Sequence, residues 1–248
     1  MSGKPDSPLR IFTARACAAP LEEAALLYKQ KAGISVLVDA CSRHCASPVA
    51  EEADAHGGHA DFLDEIAEMG VHDLAIGGAE YLLDDGEVSG LILKGERRTI
   101  ARRVSAIVTS TANPARVGGL ADLGRPGVRV GISVIDCLKG VWEDVCSKAG
   151  VTDAVRRNIV FRANGCVAIV EAVAQGKVDA VFGWNTFAHL AEGRVSIVSL
   201  PRDIAVCRGT CVGLLKFTRQ PETARAFMDF LTTEPARAIY RKFGWENP

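Results

Sequence analysis

The sequence predicts an α/β protein built from two lobes, and three observations support this fold class. Short apolar runs rich in β-branched residues alternate with longer amphipathic segments, as in a mostly parallel sheet with helical connections. A second series of the same kind follows the first and starts at RVSAIVTS. No low-complexity linker divides the two series, which favours lobes joined by crossing strands. We expect lobe I to contain residues 1–104 and 212–248, and lobe II to contain residues 105–211.

Each series supplies its own strands and helices. The first contains LRIFTA followed by APLEEAALLYKQKAG, ISVLVDA followed by a helix ending in FLDEIAEMG, and DLAIGG followed by AEYLLDDG. The second contains GVRVGISV, LKGVWEDVCSKAG, NIVFRA, VAIVEAVAQG, DAVFGW and SIVSL. The last segment predicts a strand and two helices, because Pro221 and Pro235 each suit the first turn of a helix.

Length and charge exclude several classes of partner. The chain has 248 residues, 48% of them apolar, and a net charge of −1, so it can bury a full core. Because acidic and basic residues nearly cancel and no long Lys/Arg block occurs, we expect neither nucleic acid nor an anionic membrane surface as a partner.

The beginning of the sequence bears on location. MSGKPDSPLR is polar where a secretory signal has an apolar stretch, and no run approaches the roughly 20 apolar residues of a membrane helix. We therefore expect a cytoplasmic protein without membrane insertion, or a periplasmic one if a signal has been removed.

Eight cysteines, at positions 17, 41, 45, 137, 146, 166, 207 and 211, are many for a cytoplasmic chain of this length. In a reducing compartment such a number indicates metal binding or thiol chemistry more often than disulfides, whereas in an exported protein the eight could form four bridges. The stretch ACSRHC, which contains Cys41 and Cys45, is by itself only half of a usual four-ligand sulfur site.

Several stretches in order resemble the type II periplasmic solute-binding proteins, specifically the branch that binds molybdate and tungstate. They are LRIFTARACAAPLEEAALLYKQKAGISV, FLDEIAEMGVHDLAIGGAEYLLDDGEVSG, AIVTSTANPARVGGLADLGRPGVRVGIS and ARAFMDFLTTEPARAIYRKFGW. The resemblance spans most of the chain and implies two α/β lobes with a ligand cleft between them. It also implies an oxyanion held by hydroxyls and by backbone N–H groups at helix N-termini, where unpaired donors favour an anion.

The resemblance places cysteines where the family usually has hydroxyl residues. Cys17, Cys137 and Cys166 each fall in a turn expected to face the cleft, and Cys41 or Cys45 opens an apparent insertion at its rim. A thiol is a weaker hydrogen-bond donor than a hydroxyl, but a thiolate is a good ligand for a soft metal. We therefore expect these cysteines to bind a [4Fe–4S] cluster, with an unidentified redox or metal-delivery protein as partner.

Two alternatives remain open at this point. One is the molybdate- or tungstate-binding component of an ABC transporter, with the cysteines as passive replacements. The other is a carrier of a soft metal such as zinc or copper, held by the same thiolates. No enzyme is expected, since a Walker sequence, a nucleophile elbow and an HExxH motif are all absent from the sequence.

Five further residues are interpreted as structural, functional or either. Cys146 falls in the middle of a predicted helix and is expected to be structural. Cys207 and Cys211 are either packed side chains or a functional pair, which could be a second thiol pair, a redox switch or extra ligands. Trp184 either lines the ligand site or belongs to the core. Arg15, beside Cys17, either balances the charge of an anionic ligand or cluster or is simply solvated.

Overall fold

The structure is a computed structural model that describes residues 7–41, 60–134 and 136–248. The described residues form two compact units. Unit 1 comprises residues 7–41, 60–102 and 208–248, and unit 2 comprises residues 103–134 and 136–207. The predicted α/β class is confirmed, because strands and helices alternate along the chain. None of the described helices is long and apolar enough to cross a membrane.

The described residues contain nine strands and eight α-helices. In chain order they are β1 (Leu9–Thr13), α1 (Ala18–Ala32), β2 (Val36–Ala40), α2 (Ala60–Met69), β3 (Leu74–Gly77), α3 (Glu80–Val88), β4 (Ile92–Ser110), β5 (Val130–Ser133), α4 (Val141–Lys148), α5 (Thr152–Arg156), β6 (Ile159–Ala163), α6 (Cys166–Ala174), β7 (Ala180–Trp184), β8 (Val195–Ser199), β9 (Cys207–Leu215), α7 (Pro221–Leu231) and α8 (Glu234–Lys242).

The sheet of unit 1 has the strand order β2-β1-β3-β9. β1 is parallel to β2 and β3, and β9 is antiparallel to β3. Helices cover the sheet because their apolar residues recur at helical spacing: Leu21, Ala24, Ala25 and Tyr28 of α1 are all buried. α7 begins with Pro221 in its first turn, as predicted, and its Phe227 ring lies 4.9 Å from the Tyr28 ring.

In unit 2, β5 is parallel to both β6 and β7, while β4 is antiparallel to β7 and β8. The predicted strands NIVFRA, DAVFGW and SIVSL correspond to β6, β7 and β8, and the predicted helices to α4 and α6. β4 is longer than the predicted strand that began at RVSAIVTS. It starts at Ile92, and most residues of its first half are exposed or half-buried, which is not typical of a core strand.

Candidate functional site

Ligand sites of α/β sheets form where parallel strands end and helices begin, because first-turn backbone N–H groups gather there. Each unit has one such place. We call the residues that follow β1, β2 and β3 in unit 1 (14–17, 41 and 78–79) the first edge. We call the described residues that follow β5 and β6 and those at the end of β7 in unit 2 (134, 136–138, 164–166 and 184–186) the second edge.

At the first edge, Cys41 closes the turn that follows β1. Its backbone N–H donates to the carbonyl oxygen of Thr13 at 2.9 Å, and its Sγ accepts the backbone N–H of Arg15 at 3.3 Å. The Cys41 residue is buried, whereas the Arg15 side chain is exposed. A thiol is a weak acceptor, so this contact positions the turn without requiring a thiolate.

Cys17 faces the apolar core of unit 1. It forms the end of a 3-10 turn, Arg15–Cys17, that leads into α1, and it has no exposed surface. Its neighbours in the core cluster include Leu21 and Tyr240. Burial raises the pKa of the Tyr240 phenol, and the neighbouring Cys17 raises it further, which agrees with an apolar environment around both side chains.

Three helices start directly at these edges. α1 follows Cys17, α3 follows Ala79 and α6 follows Gly165, and within the described residues none of these three N-cap residues makes a side-chain cap hydrogen bond. Other helices of the chain also lack such caps, so position distinguishes these three: each follows a parallel strand. Their first-turn N–H groups and dipoles favour a bound anion.

The second edge contains two buried donors with no hydrogen-bond partner in the part of the chain that the structure describes. They are Nε1 of Trp184, the last residue of β7, and Oγ1 of Thr186, two residues later. Neither residue is more than 1% exposed. The Arg103 guanidinium lies 4.9 Å from the centre of the Trp184 ring and adds positive charge there. Buried donors normally have a hydrogen-bond acceptor, so we expect a ligand to supply one to these two groups.

The two interpretations of Trp184 are therefore compatible, since the ring is fully buried while its N–H lacks a described partner. Thr186 is not among the site residues predicted from the sequence. A signal was available, because the polar pair Asn185–Thr186 directly follows the apolar strand AVFGW. Asn185 has a different role: its Oδ1 accepts the backbone N–H of Val104 at 3.0 Å.

The remaining predicted cysteines follow parallel strands of unit 2. Cys166 is the first residue of α6, and Cys137 lies in the 3-10 turn Asp136–Leu138 after β5. Both are buried, with 6% exposure. Cys45 lies outside the described residues. The structure thus assigns Cys17 and Cys41 to unit 1 and Cys137 and Cys166 to unit 2.

A family model described as bacterial extracellular solute-binding protein matches residues 9–246, which is nearly the whole chain. The chain belongs to this family. The predicted resemblance to type II periplasmic solute-binding proteins, in the molybdate-binding-like branch, is thereby confirmed. So is the prediction that the protein is not an enzyme, because solute-binding proteins of this family are components of transport.

Known relatives agree with this assignment. The molybdate-binding protein ModA of Mycobacterium tuberculosis is 25% identical over 198 residues, which cover 78% of this chain and 73% of the relative. Two solved structures share the fold at 19% identity and cover 97% of this chain. The Azotobacter vinelandii periplasmic molybdate-binding protein has a TM-score of 0.73 and is itself 99% covered. Peb3 from Campylobacter jejuni has a TM-score of 0.76 and is 100% covered.

The predicted [4Fe–4S] cluster is wrong. The relatives are molybdate-binding proteins, and within residues 7–41, 60–134 and 136–248 no group of three or more His, Cys, Asp or Glu side chains is arranged to hold a metal ion. Two local contacts explain why the cysteine pattern misled. Cys17 packs into the core of unit 1, and the Cys41 sulfur accepts a backbone N–H.

Proposed function

We propose that the protein is the solute-binding component of an ABC importer and that its ligand is a small oxyanion of the molybdate or tungstate type. Family membership and the 25% identity to molybdate-binding relatives support this class of ligand. The observation on which the proposal depends is the pair of buried donors at the second edge, Trp184 Nε1 and Thr186 Oγ1.

The chemistry of these groups suits an anion that only accepts hydrogen bonds. An indole N–H can only donate, and a hydroxyl can donate to a charged oxygen. Hydrogen bonds to a charged acceptor are stronger than those between neutral groups, and they gain further in a buried site of low dielectric constant. The first-turn N–H groups of α6 and the positive charge of Arg103 add to the same preference.

In this proposal the cysteines of the second edge lie near the ligand without binding a metal. Cys166 begins α6, so its backbone N–H belongs to the first helical turn, whereas its thiol is a poor donor. Replacing Cys166 or Cys137 by serine should therefore preserve anion binding. Thiolate coordination of a soft metal would instead be lost with either substitution.

Calorimetric titration tests the proposal. The full chain, dialysed against a chelator and an anion-free buffer, is titrated with molybdate, tungstate, sulfate and phosphate, and with L-phospholactate because a Peb3 structure contains that ligand. We expect saturable 1:1 binding of at least one tetrahedral oxyanion. At 100 times Kd the ligand should raise the free energy of unfolding by about 2.7 kcal/mol. Absence of both heat and thermal stabilisation with all five anions would refute the proposal.

The proposed function also changes the expected location. A solute-binding component of an importer meets its ligand outside the cytoplasm, so we propose an extracytoplasmic location in place of the cytoplasmic one expected from the sequence. Fractionation of the native cells, with detection of the protein by antibody, tests this. Recovery of the protein only with cytoplasmic markers would contradict it.

A further inference from the structure

β2 forms the outer strand of the sheet in unit 1, and its only strand partner within the described residues is β1. The Ser35 carbonyl accepts the N–H of Leu9 at 3.0 Å, and the N–H of Cys41 donates to Thr13 at 2.9 Å. Backbone groups alternate along a strand, so the odd-numbered residues face β1. The N–H and C=O groups of residues 36, 38 and 40 therefore face away from the sheet, as an edge available for pairing.

An apolar groove of about 340 Å³ runs between this edge and α1. Its lining includes Leu26 and Ala25 from the helix and Val36 and Val38 from the strand. Leu26 is 63% exposed, and Leu37, on the opposite face of β2, is 47% exposed. Large apolar side chains thus remain uncovered on both faces of the same strand edge, which is a feature of interaction surfaces.

The charged residues that line the groove are complementary to the same residues of a second copy. Glu22 and Lys29 are both exposed and lie seven residues apart on α1, two helical turns, with Leu26 between them. A two-fold axis near Leu26 would bring Glu22 of each copy to Lys29 of the other copy. Such reciprocal contacts define an isologous dimer interface, so the charge pattern indicates a second copy of this chain as the occupant.

The strand edge fits the same axis. If Val38 lies opposite Val38 of the second copy in an antiparallel pair, Val36 lies opposite Ala40, and the outward backbone groups form about six N–H···O bonds. Leu26 is six residues before the end of α1, about 9 Å along the helix. Val38 is two residues after the start of β2, about 7 Å along the strand. Measured from the turn that joins α1 to β2, Leu26 and Val38 therefore lie at similar distances.

The spacing of the helices is also suitable. α1 packs above β1 and β2, since Leu21, Ala24 and Tyr28 share one core cluster with Leu9 and Ile11, and Val36 and Val38 pack against it. With strands about 4.8 Å apart, a helix above the β1–β2 pair lies about 5 Å from the axis. The two α1 helices would then be about 10 Å apart, within the usual packing range.

From these observations we infer that two copies of the protein form a dimer by antiparallel pairing of their β2 strands, with the α1 helices packed side by side. This interface is independent of the anion site, since none of its residues belongs to either edge of the candidate site. If the protein failed to bind oxyanions, the dimer inference would still stand.

Charge reversal tests the pairing of α1 helices. Sedimentation velocity of the full chain over a range of concentrations should show a reversible monomer–dimer equilibrium. The single variants Glu22→Lys and Lys29→Glu should each weaken dimerisation by about 10-fold, because two attractive contacts become repulsive. The double variant should return to the wild-type value. Lys31→Glu, on the same helix but outside the groove lining, is the matched control and should have no effect.

Val38→Pro tests the strand edge. The N–H that proline removes faces away from β1, so no hydrogen bond to β1 is lost, and edge strands accept this change. The variant should therefore fold, as shown by circular dichroism, but remain monomeric. A wild-type protein that is monomeric at all concentrations overturns the inference. So does a dimer that survives Val38→Pro, or a double charge variant that dimerises as weakly as the single ones.

Discussion

Replacing Thr186 by valine separates anion binding from stability. The two side chains have nearly the same shape, and the Thr186 hydroxyl has no hydrogen-bond partner within the described residues. The substitution therefore removes no described protein hydrogen bond and relieves the burial of a polar group. We expect the unliganded Thr186→Val protein to have an unchanged or higher free energy of unfolding.

The size of the binding defect follows from the hydrogen bond that the ligand would lose. A hydrogen bond to a charged group contributes about 1.5–3 kcal/mol. At about 1.4 kcal/mol for each factor of ten, Kd for the oxyanion should rise about 10-fold to 150-fold. Calorimetric titration measures Kd, and chemical unfolding without ligand measures stability on the same preparations.

Thr109→Val is the matched control. Thr109 also has a buried Oγ1 without a described partner, but it lies opposite Ala180 at the start of β7, whereas Trp184 ends that strand. The four intervening steps correspond to about 13 Å. Thr109→Val should leave Kd unchanged. The assignment of Thr186 as a ligand donor is refuted if Thr186→Val binds within twofold of the wild type, or if both substitutions weaken binding equally.

Three other measurements probe the described contacts. Phe227→Ala, in the core of unit 1, should lower the free energy of unfolding by about 3–5 kcal/mol in guanidinium titrations. The hydrogen bond from Arg10 lowers the pKa of the Asp39 carboxyl. This bond therefore stabilises the fold above the unfolded pKa of about 3.9, and the stabilisation is lost as the pH falls through the folded pKa. Acid unfolding of Asp39→Asn should lack this pH-dependent loss of stability. Burial raises the pKa of the Cys146 thiol to about 12, so iodoacetamide at pH 8 should label exposed Cys207 and leave Cys146 unmodified in the native protein, as mass spectrometry can verify.

The fold could be predicted because its signals are local. Apolar runs of strand length and amphipathic segments of helix length lie next to each other in the sequence, and prolines mark the starts of α7 and α8. The first half of β4 was missed for a local reason too. That stretch, ILKGERRTIA, contains four charged residues and has no strong apolar alternation.

The site was harder to predict because it depends on side-chain direction and on partners distant in the sequence. The sequence predicts that the turn Arg15–Cys17 faces the ligand, yet its last residue belongs to the core cluster that contains Leu21 and Tyr240. The donors of Trp184 and Thr186 become noticeable only when the rest of the fold leaves them without partners. No spacing of residues in the sequence predicts that a buried donor lacks a partner.

The abundance of cysteines also has a physical explanation that needs no cluster. Iron–sulfur clusters and zinc are held by thiolates, and burial in apolar surroundings disfavours the charged form. Burial raises the pKa of Cys146 and also that of Cys211, whose Sγ lies 3.5 Å from the Thr99 hydroxyl. Such thiols stay protonated at neutral pH and behave as small apolar side chains. A large number of cysteines therefore indicates metal chemistry only where the thiols are accessible enough to ionise. Cys17 has no exposed surface and is not such a cysteine.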